Sequence, residues 1–117
     1  MDASSQPVSL GRISISTSAI AQIVGQTAIE CYGVVGMASR LRHLGRLLAH
    51  DRPERGVEVK RAPEGLSLTL HVVVERGLNL AEVASTVRSR VAYEVGRLTG
   101  LKVASVEVHI SDVRRSG

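Results

Sequence analysis

Cys31-Tyr32-Gly33-Val34-Val35-Gly36-Met37-Ala38 closes one amphipathic segment and opens an apolar one, with no charged side chain between them. Before it, Ile20, Ile23, Val24, Thr27, Ala28 and Cys31 recur at helical spacing. Ser16, Thr17 and Ser18 precede that run as caps whose hydroxyls can accept the free amides of a first turn. The spacing therefore predicts a helix that stops at Gly33, where a residue without Cβ can turn left-handed and release the chain. Residues 34–38 are too few for a helix of their own and predict an extended run beside a sheet, with Gly36 as a second turn glycine.

Upstream, Ile13 and Ile15 alternate with Arg12, Ser14 and Ser16, the period of a half-buried strand. Residues 1–10 are small and polar and read as a flexible tail. Downstream, Leu41, Leu44, Leu47 and Leu48 share one side of a stretch that also carries Arg40, Arg42, His43 and Arg46, predicting a short basic helix over residues 40–50. A charged loop follows. Residues 57–61 and 66–75 then read as a hairpin around Ala62-Pro63-Glu64-Gly65, because Leu66, Leu68, Leu70, Val72 and Val74 alternate with Ser67, Thr69, His71 and Glu75. Asn79 with Glu82 three residues on marks the start of a long helix whose stripe is Leu80, Val83, Ala84, Val87, Val91, Val95 and Leu98. Gly100 supplies its stop. Residues 104–111 close the chain as an alternating strand with Ala104, Val106, Val108 and Ile110 toward the helices, and residues 114–117 read as a flexible end.

This order predicts a single α+β domain over residues 11–113: a two-layer sandwich, two main helices on one face of a small mixed, largely antiparallel sheet, with a short basic helix in the middle. The opposite sheet face would carry Ser14, Ser16, Thr69, His71, Glu75, Ser105, Glu107 and His109. A chain of 117 residues can bury a core without disulfides or metal. With no Phe or Trp and only Tyr32 and Tyr93 as aromatics, that core must be aliphatic. The lone Cys31, the lack of a basic and apolar leader in the first residues, and the absence of an apolar run near the ~20 residues of a membrane span predict a cytoplasmic protein, at most peripheral to the inner membrane face.

Reaction centres find no support in the residue pattern. Cys31 sits on the apolar helix stripe with no cation beside it in sequence, the setting of a small buried hydrophobe and not of an activated thiol. His71 and His109 occupy equivalent outward strand positions, but the sequence offers no Cys or carboxylate cluster to complete a tetrahedral metal site. Gly33-Val34-Val35-Gly36 lacks the Lys-Ser/Thr end of a phosphate loop. The sequence thus predicts a non-enzyme without catalytic, cofactor-binding or metal-ligating residues. Its net charge of +4 is concentrated in the middle of the chain, where Arg40, Arg42, Arg46, Arg52 and Arg55 are candidate contacts for an anionic surface or a protein partner. Nucleic acid fits poorly, since few aromatic platforms exist for base stacking.

Gly11-Arg12-Ile13-Ser14-Ile15-Ser16, Cys31-Tyr32-Gly33-Val34-Val35-Gly36-Met37, Arg55-Gly56-Val57-Glu58-Val59, and Thr99-Gly100-Leu101 followed by Val106-Glu107-Val108 together resemble the alkaline shock protein family of bacterial envelope stress proteins, in its short form without a charged tail. The resemblance implies a non-enzymatic scaffold or adaptor working through protein contacts near the inner face of the cell membrane. It further implies self-association and, in some members, a membrane-anchored partner. The alternative it implies is a regulatory partner of a lipid-metabolism enzyme of the fatty acid kinase type. It assigns no ligand-binding residues, and the arginine-rich middle departs from many relatives.

Overall fold

The computed structural model describes residues 7–10, 13–38 and 53–115, with side chains from Ile15 onward. Its organising element is the strand predicted from the cleanest alternation. Leu66, Leu68, Leu70, Val72 and Val74 are all 2% exposed or less, and they fill one face of a strand over Gly65–Glu75. In chain order the elements are β1 (Pro7–Leu10), β2 (Ile13–Ser16), α1 (Thr17–Ile29), β3 (Val34–Met37), a 3₁₀ turn (Pro53–Gly56), β4 (Val57–Ala62), β5 (Gly65–Glu75), α2 (Leu80–Thr99) and β6 (Val103–Arg114).

β6 runs parallel to β5 along nearly its full length, from Leu66 opposite Val103 to Glu75 opposite Arg114. A strand has two edges, so β3 and β4 must share the other. β4 pairs antiparallel with the first half of β5, Val57 opposite Leu70 and Ala62 opposite Gly65, and β3 with the second half, Val34 opposite Val74 and Met37 opposite Val72. The sheet is therefore mixed, and the parallel pair is joined by α2 as a βαβ crossover. Both helices lie on one face of it, giving the two-layer α+β domain that the sequence predicts.

Helix α2 buries Val83, Val87, Val91, Val95 and Thr99, an unbroken series at intervals of four. Burying an aliphatic side chain of this size contributes roughly 1.5 to 3 kcal/mol each relative to exposure. Asn79 accepts a hydrogen bond from the Glu82 amide at 3.1 Å, and Gly100 adopts φ 73° while its amide donates to the Gly96 carbonyl at 2.8 Å. Helix α1 contributes Ile20, Val24 and Ala28 to the same core, and the Ser16 hydroxyl accepts from the Ala19 amide at 3.0 Å.

Several expectations change. Pro7–Leu10 lies within the expected tail but pairs with β2, placing Val8 opposite Ile15 and Leu10 opposite Ile13. This hairpin is a separate two-stranded sheet, so Ser14 and Ser16 do not belong to the polar face of the main one. Helix α1 ends at Ile29, short of Gly33, because Glu30 and Cys31 donate to Thr27 and Ala28 and tighten the last turn by i→i+3 bonds. Gly33 instead turns the chain into β3 at φ 91°, and its carbonyl accepts from the Glu75 amide at 2.8 Å. Gly36 is a strand residue within β3, not a turn. Leu80 and Leu98 are 39% and 53% exposed, because the series at intervals of four carries the buried stripe to Thr99 and leaves these two flanking positions outside. Ala104 is exposed at a bulge in β6. The predicted basic helix over residues 40–50 lies outside the described residues.

A Cβ added at Gly33 would stand 2.8 Å from Leu78 Cδ1 and 3.0 Å from Val83 Cγ2, in a backbone region that β-branched residues avoid. Gly33→Val is expected to lose stability, by about 1 to 3 kcal/mol from the backbone alone with the side-chain clash in addition. An unchanged thermal melting curve would refute this role for Gly33. The burial contrast gives a second expectation. Leu70→Ala should cost about 2 to 5 kcal/mol in denaturant titration, and Leu98→Ala should stay within about 0.5 kcal/mol of the parent. Equal losses would contradict the assigned core.

Candidate functional site

Cys31 lies just past α1, 4% exposed, with its thiol donating to the Thr27 carbonyl at 3.4 Å. Burial pushes its pKa up; nearby Arg90 offsets part of that and Glu30 adds a smaller push upward. A raised thiol pKa means less thiolate at neutral pH, the opposite of what a nucleophile needs. Among the described residues no group of three or more His, Cys, Asp or Glu side chains is arranged to hold a metal ion.

The face of the sheet away from the helices carries cross-strand polar pairs. Register sets Ser67 beside Ser105, Thr69 beside Glu107 and His71 beside His109, while β4 adds Glu58 beside Thr69 and Lys60 beside Ser67. The two imidazoles stack with centroids 5.1 Å apart and planes 16° from parallel. Glu107 Oε1 approaches His109 Nε2 at 3.4 Å, both groups well exposed. Such a surface favours wet, hydrogen-bonded contact over enclosed chemistry.

A second surface lies between the helices. α1 has no charged side chain over its length, and with α2 it forms an open groove of about 620 Å³ lined by Gln22, Ile23, Gln26, Thr27, Glu94 and Leu98. The Glu94–Arg97 ion pair at 2.7 Å and the Gln26–Glu30 hydrogen bond at 3.2 Å sit at its rim. An apolar centre with a polar rim is the anatomy of a protein contact. The sequence signal for it was available in the lack of charge on α1, although the helical stripe assigned Leu98 to the core.

The third surface is β6 itself. Its inward side chains Val106, Val108, Ile110 and Val113 are only half-buried, and among the described residues no strand pairs with its outer edge. Of the arginines proposed from sequence, Arg40, Arg42, Arg46 and Arg52 fall outside the described residues. Arg55 is exposed on the 3₁₀ turn, beside a shallow depression of about 310 Å³ that it lines with Thr17, Glu54, Glu58 and Lys60. Two carboxylates beside two cations leave little net positive field there.

Cys31 also fixes a pH response. Its folded pKa is raised, so its contribution to stability is fully present below the unfolded thiol pKa and is lost as pH rises through the folded one. In the native protein a disulfide-exchange reagent near pH 8 should react with Cys31 far more slowly than after denaturation. Equal rates would show an accessible thiol.

Residues 5–115 match the model of the alkaline shock protein 23 family, described as having a cell envelope-related function. The chain is 36% identical over 107 residues to the uncharacterized protein YloU of Bacillus subtilis, covering 89% of each. It is 32% identical over 110 residues to the uncharacterized protein Spy1614 of Streptococcus pyogenes serotype M6, covering 92% of this chain and 91% of that one. A third relative, the uncharacterized protein YqhY of Bacillus subtilis, is 24% identical over 110 residues, covering 90% of this chain and 78% of that one. No solved structure matches significantly. With nearly the whole chain matched and relatives of similar length, the protein belongs to the alkaline shock protein family, whose function is related to the cell envelope.

Proposed function

We propose that the protein is a non-enzymatic scaffold or adaptor that acts through protein contacts beside the inner face of the cell membrane. The family's envelope-related function supports the location in outline. The mechanism rests chiefly on one observation, the twelve-residue strand β6 at the margin of the sheet with half-buried valines along it. An extended edge of this kind recognises other backbone by strand addition, with side-chain pairs giving selectivity. The groove between α1 and α2 supplies a second contact of a different kind, apolar side-chain burial within a polar rim. No helix among the described residues is long and apolar enough to cross a membrane. In this reading the protein reaches the envelope through a partner.

The test is capture of the tagged full chain from native cells after crosslinking, with fractionation of membranes. A membrane-anchored protein should dominate the recovered partners. Leu98→Asp should reduce its recovery by about tenfold, as loss of a contact worth about 1.4 kcal/mol would, while the melting temperature stays within error. A lipid-metabolising enzyme as the dominant partner would favour the regulatory alternative. Direct binding to anionic vesicles that falls with added salt would shift the contact from protein to lipid.

A further inference from the structure

Val103-Ala104-Ser105-Val106-Glu107-Val108-His109-Ile110-Ser111-Asp112-Val113 is nearly symmetric about Val108. Outward from that centre, Val106 with Ile110, Ser105 with Ser111 and Val103 with Val113 match in kind, Glu107 with His109 is a complementary polar pair, and Ala104 with Asp112 departs. In an antiparallel pair, residues directly opposite share a face of the sheet. Two β6 strands meeting across a two-fold axis at Val108 would therefore set valine against valine, Val106 against Ile110 on the apolar side, and Glu107 against His109 on the polar side, twice. We infer that the outer edge of β6 is the interface for a second copy of this chain, paired antiparallel in that register. This deepens the protein-contact reading and rests on it.

Geometry and charge narrow the choice. Bulges at Ala104 and Ser111 interrupt the regular register with β5, so the straight segment runs from Ser105 to Ile110. A centre at Val106 or Ile110 would meet a bulge within two residues of the axis, whereas the Val108 centre keeps residues 106–110 regular and meets one only at the Ser105–Ser111 pair. A centre at Glu107 would set carboxylate against carboxylate, and one at His109 imidazole against imidazole. The Val108 centre alone converts these into two complementary pairs, and like charges directly opposite are destabilising in a sheet. Glu107 and His109 stand on the exposed polar face of the edge strand, 68% and 47% exposed, 3.4 Å from each other and with His109 stacked on His71. Pairing with a second copy would therefore redirect a surface contact without repacking the core.

The experiment uses the full chain carrying Cys31→Ala, with Glu107→Cys and His109→Cys made as separate variants. Directly opposite Cα atoms in an antiparallel pair are about 4.5 to 5.5 Å apart, within disulfide range. Mild oxidation of the mixed variants should give a crosslinked dimer that neither variant gives alone. Crosslinking of Glu107→Cys alone or of His109→Cys alone would overturn the register, and no crosslinking in the mixture would overturn the interface. Sedimentation adds an independent arm: His109→Glu should weaken association about tenfold, since two pairs change from attraction to repulsion, and the Glu107→His, His109→Glu double swap should restore it. Failure of the swap to restore association would also overturn the register. If a membrane partner is captured while these variants show no dimer, the scaffold reading stands and the β6 interface falls.

Discussion

Strand β5 is the constraint on which the other elements depend. Along one edge it pairs with β6, along the other with β4 and then β3, and its inward face meets both helices. Each of those neighbours finds its backbone partners on β5. The five inward side chains must therefore be apolar and of compatible size, since a strand with both edges paired and one face covered has no water to satisfy a polar group. The aliphatic composition follows from this. Val, Leu and Ile fit a pleated surface under a helix carrying valines at every fourth position, and no large ring is needed to fill the space.

Which features were legible in the sequence depends on whether their signal is local. The alternation of Leu66 through Val74, the cap at Asn79 and the stop at Gly100 each occupy a few residues, and each has a physical cause confined to those residues. The sharing of one β5 edge by β3 and β4 has no such signature, because Val34–Met37 is separated from its partner by the whole of β4 and the segment before it. The same holds for Gly25. A mid-helix glycine reads only as a propensity cost, yet a Cβ there would stand 2.8 Å from the backbone of Pro53, so it is small because the 3₁₀ turn crosses the helix at that point. The hairpin β1–β2 was readable in principle from Val8 and Leu10 opposite Ile15 and Ile13, but four-residue strands give few repeats from which to establish a period.

The surfaces were less legible than the core. Leu98 has the composition of a core residue and continues a helical stripe at i+3 from Val95, but the stripe drifts with its strict interval of four and buries Thr99 instead. Thr99 can be buried because its hydroxyl donates to the Val95 carbonyl at 2.6 Å and accepts from the Leu101 amide at 3.1 Å, which satisfies the polar atom. That local exchange exposes an apolar side chain beside an uncharged helix. Similarly, the near-symmetry around Val108 is present in the sequence but has no meaning until β6 is known to lie at the margin of the sheet. Candidate contact surfaces in this protein are therefore sought on edges and grooves set by the fold, rather than in the fold itself.

The two margins of the sheet differ in a way that bears on assembly. One is a continuous strand; the other is two short strands end to end, with a register shift at Val35. A margin broken in this way is a poor template for an added strand, since extension requires an uninterrupted row of amides and carbonyls. Pairing of two copies through β6 is isologous, so it consumes the same edge on both and leaves only the broken margins outward. Bulges at Ala104 and Ser111 further confine the contact to a short straight segment. In the proposed register, strand pairing would therefore close at a dimer, and any larger assembly would need a different surface, for which the groove between α1 and α2 has the suitable chemistry.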